Sequence, residues 1–193
     1  CLIKLMVKIV MTLIPDGKKG VEDPGSPIYL DENIISQPAA ALQLVAKEIF
    51  RMSDQVRDIL KKTIELVKNE EVKSIDGLKE NGEQVERLGK CITEYLAALF
   101  SSGSLTEQQA AQTASLMCVL SDVERMGTLS VEMAECMLER SDRKYKYTPE
   151  AMDELQKSLK VLNKMFCDSL KALQGDDGIE PGKMMKRKDK LLD

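Results

Sequence analysis

The chain has 193 residues, of which 43% are hydrophobic, 31% charged and only 4% aromatic, and its formal net charge is −4. This length suits one domain with a sizeable core or two small ones, and the charged, aromatic-poor composition is typical of long amphipathic helices. The chain contains no histidine, which excludes histidine acid–base catalysis and two-histidine metal motifs. The acidic balance gives no general attraction to nucleic acid, so we expect no nucleic-acid partner.

The first fourteen residues, CLIKLMVKIVMTLI, are apolar apart from two lysines and one threonine. A transmembrane helix needs about 20 such residues. We therefore interpret residues 1–14 as a membrane-proximal segment, which is either the clipped end of a transmembrane helix or an interfacial helix on the membrane surface. A packing arm of a soluble protein is the alternative. Because the sequence starts with cysteine and stops inside a predicted helix, we expect it to be a piece of a longer protein.

Residues 15–36 have the composition of a linker. The stretch PDGKKGVEDPGSP holds three prolines and three glycines in thirteen residues, a pattern typical of an extended loop. The following IYLDENIIS is predicted to lie as an extended strap on whatever precedes the helices that come next.

From residue 37 onwards, apolar residues recur at alternating intervals of three and four, which predicts long helices packed along their length. We predict four helices, at 37–69, 74–101, 105–139 and 149–174. Ser36, Ser104 with Glu107, and Thr148 are the predicted N-terminal caps. Because the loops between the helices are short, the predicted fold class is all-α, an antiparallel up-down helical bundle.

The third helix carries a glutamate on its predicted apolar seam. The seam runs through Thr113, Met117, Leu120, Glu124, Gly127, Val131, Ala134 and Leu138. A carboxylate that faces a bundle costs stability unless it is paired, protonated or bound to a metal. We expect Glu124 to pair with a basic side chain, with Arg87, Lys90 and Arg125 as the candidates.

The stretch 121–135, SDVERMGTLSVEMAE, resembles the motif of PhoU-like phosphate-uptake regulators, which reads approximately N-D-L-E-R-I-G-D-x-x-x-N-I-A-E. The matching positions are Asp122, Glu124, Arg125, Gly127, Ala134 and Glu135. Residues 37–140 fit one three-helix PhoU-like repeat, and GEQVERLGKCITEYL resembles its acidic middle helix. Residues 141–193 resemble the start of a second repeat that is then truncated.

The resemblance implies a metal-binding motif that this chain keeps only in part. PhoU proteins carry an ExxxD pair that can hold metal, because carboxylates four residues apart share a helix face. Here Glu124 is present, but Thr128 occupies the aspartate position, and a hydroxyl is a weaker, neutral ligand. Glu83 and Glu86 could still supply oxygen ligands from the middle helix. We expect no cofactor, and the resemblance leaves a bound iron or zinc ion open.

The N-terminal part of the chain extends the resemblance. The apolar KIVMTLIP, the short linker and PIYLDENIISQPAAALQLVAKEIFRM resemble the C-terminal region of bacterial Na+/phosphate cotransporter family proteins, in which a PhoU-like domain lies on the cytoplasmic side of the membrane domain. The implied function is a non-enzymatic regulatory domain that acts through helix-face interactions in phosphate transport or its regulation. The implied partners are the membrane domain of the same chain and a second copy that would form a homodimer. The alternative is a freestanding soluble PhoU-like regulator.

Overall fold

The computed structural model describes residues 23–68, 72–103, 105–144 and 146–173, so the predicted segment 1–14 lies outside the described residues. Their regular structure consists of a short 3-10 helix, Glu32–Ile34, followed by α1 (Pro38–Lys68), α2 (Asp76–Ser101), α3 (Glu107–Asp142) and α4 (Pro149–Leu173). No described residue forms a β-strand, and all four predicted helices are present, which confirms the all-α fold. Within the described ranges, no helix combines the length and the apolar character needed to cross a membrane.

Helix α1 is the centre of the bundle, because it packs against α2, α3 and α4. Helices α2 and α3 also pack against each other, so the first three helices form a closed bundle and α4 covers a further side of α1. The predicted three-four series of apolar residues in α1 is buried up to Thr63, and Leu66 at its end is half-buried. The buried members are Leu42, Val45, Ile49, Met52, Val56, Ile59 and Thr63. Helices α2 and α3 run antiparallel, since Lys79 pairs with Glu135 at one end and Gly89 contacts Glu124 ten residues further along α2.

The core face of α3 is rotated relative to the predicted seam. Its buried residues are Thr113, Leu120, Val123, Gly127, Ser130, Ala134, Met137 and Arg140. The predicted seam shares Thr113, Leu120, Gly127 and Ala134 with this set, but its other four residues are only half-buried. Two alternative series of residues with three-four spacing contain these four shared positions. The sequence pattern alone does not show which of the two series faces the core. Glu124 therefore lies at the edge of the core face and not on its centre line.

Two of the predicted caps are displaced. Helix α1 begins at Pro38, and the carbonyl oxygen of Gln37 accepts from the amides of Ala40 and Ala41, so the cap position lies one residue beyond Ser36. Helix α3 begins with a capping box formed by Thr106 and Gln109, two residues beyond the predicted pair, of which Ser104 lies outside the described residues. The prediction for α4 is confirmed, because the hydroxyl of Thr148 accepts from the Ala151 amide at 3.2 Å.

Residues 23–35, here called the strap, lie on the bundle itself and not on whatever precedes it. Leu30, Ile34 and Ile35 of the strap pack against the core. The hydroxyl of Tyr95 on α2 donates to the carbonyl oxygen of Asp31 at 2.8 Å. The strap is therefore part of the folded unit, and it connects to α1 without an independent linker.

Candidate functional site

A groove of about 970 Å³ runs between α2 and α3, and charged side chains line most of it. The α2–α3 groove is lined by Glu83, Glu86, Glu124, Glu132 and Glu135, by Lys79, Arg87 and Lys90, and by Gly82, Val85, Thr128 and Val131. Five carboxylates thus face three basic side chains. The balance favours cationic ligands or basic partner segments over phosphate itself.

The groove follows from the spacing of polar residues on two adjacent helices. On α2, Lys79, Glu83 and Glu86 are three or four residues apart and therefore share one helix face. On α3, Glu124 and Thr128 share a face for the same reason. The antiparallel packing of the two helices places these faces opposite each other, so three of the sequence-predicted residues, Glu83, Glu86 and Glu124, line a common groove.

Gly89 provides the space in which the Glu124 side chain lies. A Cβ atom built on Gly89 would lie 1.8 Å from Oε1 of Glu124 and 2.8 Å from its Cδ. Any larger residue at this position would therefore displace the carboxylate. Glu124 is half-buried for two reasons: its position on α3, and the absence of a side chain on the glycine that faces it from α2.

The predicted pairing of Glu124 with a basic side chain is wrong for the described part of the chain. No ion pair joins Glu124 to Arg87, Lys90 or Arg125, and Arg87 instead pairs with Asp23 of the strap at 3.5 Å. Burial raises the pKa of the Glu124 carboxyl, and the negative charge of Glu86 raises it further. Glu124 is therefore an unmatched carboxyl group that binds a proton more readily than a solvated one.

Two of the basic side chains in the groove are already engaged. Lys79 pairs with Glu135 at 2.8 Å, and this contact raises the pKa of the lysine. Arg87 is shared between the groove and the strap, where the amide of Gly25 and then the charge of Arg87 hold the pKa of Asp23 below its usual value. Because these two basic side chains are paired with other carboxylates, they do not neutralise Glu124. The Glu124 end of the groove is therefore more acidic than a count of the charged lining residues indicates.

The remaining motif residues have different surroundings. Gly127 is buried where three helices meet, and a Cβ atom on it would lie 3.3 Å from Val56 and 3.5 Å from Val85. Its role is close helix packing. The Thr128 hydroxyl donates to the Glu124 carbonyl oxygen at 3.2 Å, so it is engaged with the backbone of its own helix. Asp122 and Arg125 are exposed and lie outside the groove.

No three acidic or thiol side chains among the described residues are grouped in a way that would hold a metal ion. Glu83 and Glu86 are exposed, whereas Glu124 is half-buried, and Thr128 adds no charge. The arrangement can nevertheless attract cations to one side of the bundle, because its carboxylates outnumber its bases.

Comparison with protein families identifies this part of the chain. Residues 49–137 match the family model of the PhoU domain. This region is therefore similar to a PhoU domain. The match includes most of α1, all of α2 and most of α3, and therefore the whole α2–α3 groove. No curated protein and no solved structure matches the chain.

The match to the PhoU domain suggests involvement in the regulation of phosphate transport. The sequence contained a signal for the space that the Glu124 side chain occupies, because Gly82 and Gly89 are seven residues apart and therefore lie on one face of α2. A second polar group was missed. Glu48 interrupts the apolar stripe of α1 between Val45 and Ile49, and it is completely buried beneath the strap.

Proposed function

We propose that this chain is the cytoplasmic regulatory domain of a membrane protein of the sodium-dependent phosphate symporter family. The observation that carries the proposal is the order of segments in the chain: an apolar stretch at 1–14, a short linker, and then a PhoU-like domain at 49–137. A regulatory bundle that follows an apolar segment in the same chain is well placed to act on a membrane domain of that polypeptide.

In this proposal the bundle regulates transport through contacts of its helix faces. The α2–α3 groove is the face best suited to a basic segment, because its carboxylates outnumber its bases. The strap supports coupling to the segment before it, since Asp23 contacts Arg87 at the edge of the same groove. A partner in the groove would therefore lie next to the point where the chain leaves the bundle.

The proposed partners are the membrane domain of the same chain and a second copy of the bundle. Homodimer formation through helix faces would bring two regulatory domains together beneath two membrane domains. No cofactor is expected in this role, and sodium and phosphate would bind in the membrane domain and not in the bundle.

Cell fractionation tests the proposal directly. Peptides from residues 23–173 should be recovered from the membrane pellet after a carbonate wash, as part of a polypeptide that also carries transmembrane segments. A cytosolic protein and a known integral membrane protein serve as controls. Recovery in the soluble fraction on a polypeptide without transmembrane segments would contradict the proposal and favour the freestanding PhoU-like regulator.

A further inference from the structure

The strap is held on the bundle by polar side chains that bind its backbone. Glu48 on α1 accepts from the amides of Ile28 at 2.9 Å and Tyr29 at 2.6 Å, both through Oε2. Its other oxygen accepts from Nε of Arg51 at 2.5 Å. Both oxygens of a completely buried carboxylate are thereby satisfied, and two of its three partners are strap amides.

The same face of the bundle also binds the strap carbonyl groups. Arg51 donates to the carbonyl oxygens of Pro24 at 3.1 Å and Ser26 at 2.6 Å. Nε2 of Gln55 donates to the Pro24 oxygen at 2.9 Å, one helical turn further along α1. The Tyr95 hydroxyl donates to Asp31, so four bundle side chains in total contact both donors and acceptors of the strap backbone.

Side chains of the strap add to this contact, because Leu30, Ile34 and Ile35 pack against the core. The ammonium group of Lys47 also lies 4.1 Å from the centre of the Tyr29 ring. Ile28, in contrast, is 46% exposed.

Pro24 lies in the turn that is closed by a hydrogen bond from the Ser26 amide to the Asp23 carbonyl oxygen. The fixed φ of Pro24 and Pro27 lowers the entropy lost when the strap binds.

We propose that Glu48, Arg51, Gln55 and Tyr95 form a binding site for a peptide segment, and that the strap is its resident ligand. Because residues 23–35 of a second copy carry the same backbone and side-chain groups, that segment fits the site equally well. The site then links two copies by exchange of their straps, with the connection at residues 35–37 as the hinge. This inference does not depend on a role in phosphate transport.

Binding of a free strap peptide to the full chain tests the proposal. The strap of the same chain competes with the free peptide for the site at a high effective concentration. Binding of this tethered strap is therefore first weakened by Tyr29→Pro, which removes one amide donor to Glu48 and keeps the preceding residue extended. A fluorescent peptide of residues 23–35 should bind this variant at least tenfold more tightly than it binds the native chain in an anisotropy titration. Adding Arg51→Ala to the variant should weaken binding at least tenfold.

A methylated peptide provides the matched control. N-methylation of the Tyr29 amide should lower affinity at least tenfold because this amide donates to Glu48. N-methylation of the adjacent Leu30 amide, which makes no hydrogen bond in the structure, should change affinity less than threefold. Equal losses from the two peptides, or no binding to the Tyr29→Pro chain at 1 mM peptide, would overturn the proposal.

Hydrogen exchange on the unmodified chain gives a test that does not depend on the folding of a variant. An exchangeable strap opens locally, so the amides of Ile28 and Tyr29 should exchange faster than those of buried α1 residues, at a rate that changes little with dilute denaturant. Exchange of both amides only together with α1, by global unfolding, would show that the strap is a fixed part of the core and would overturn the proposal.

Discussion

At Glu124, the stability of the fold and the charge of the groove depend on the same carboxyl group. Its pKa is raised in the folded chain, by burial first and by Glu86 second, so the protonated form is favoured by folding. The stabilising contribution is complete below the ordinary value of 4.5, and it is lost as the pH rises through the raised pKa. The unmatched charge then opposes folding at neutral pH.

We therefore predict that Glu124→Gln stabilises the chain at pH 7, by on the order of 0.5 kcal/mol because solvent screens a half-exposed group. The difference from the native chain should vanish near pH 3.5. Urea unfolding at both pH values measures it. A variant that is less stable than the native chain at pH 7 would indicate a basic or metal partner for Glu124, contrary to the structure.

Gly89 gives a second test of the same contact. In Gly89→Ala the new methyl group would overlap only the outer atoms of the Glu124 side chain, which can rotate into the groove. We expect a gain of about 0.5–1 kcal/mol from helix propensity, together with a fall in the pKa of Glu124 as its carboxylate becomes solvated.

The control for this change is Gly77→Ala, because no atom lies within 4 Å of its added Cβ. It should leave the pKa of Glu124 unchanged when the carboxyl group is followed by NMR. If Gly89→Ala, but not Gly77→Ala, lowered the free energy of unfolding by more than 1 kcal/mol, the Glu124 side chain would be unable to rotate into the groove. That result would contradict this prediction.

At the scale of the helix, a three-four pattern predicted the existence of each element but not its rotation or its first residue. The α1 seam was found because one side of that helix is buried along nearly its whole length. Helix α3 carries apolar residues on several sides, so Val123 and Glu124 fit alternative seams equally well. Only the packing of α2 against α3 decides between them, and that contact is not visible in a single helical pattern.

The capping box of α3 gives a prediction at this scale. Thr106→Ala should destabilise the chain by about 1 kcal/mol, because the amide of Gln109 loses its acceptor and the reciprocal contact is broken. Ser115→Ala, at an exposed hydroxyl on the same helix, serves as the control and should change stability by less than about 0.5 kcal/mol. Equal effects in thermal unfolding would contradict the assigned start of α3.

For the whole molecule, the boundary between linker and bundle falls earlier than the composition indicated. The prolines and glycines predicted an independent linker up to residue 36. In the structure, however, the strap packs against the core and accepts a hydrogen bond from Tyr95 on α2. The prolines and glycines correctly indicate a segment without a long helix. The composition does not indicate that Glu48, twenty residues from Ile28 in the sequence, accepts hydrogen bonds from the strap amides.

Truncation separates the two parts of this N-terminal region. Deletion of residues 1–20 should leave the thermal midpoint within about 2 °C of the native value, because the strap and bundle stay intact. Deletion of residues 1–35 should lower it by roughly 10 °C, since it exposes core side chains and leaves Glu48 with fewer partners. A large loss from the shorter deletion would mean that residues 1–20 contribute to the core.

Uptake of radiolabelled phosphate tests the proposed regulatory role most directly. Cells that express the complete gene are compared with cells in which the gene lacks the bundle, residues 37–173, in sodium and in potassium buffer, after growth in high or low phosphate. The account predicts sodium-dependent uptake in both, with the response to phosphate status lost when the bundle is removed. Uptake that is independent of sodium, or an unchanged response without the bundle, would contradict it.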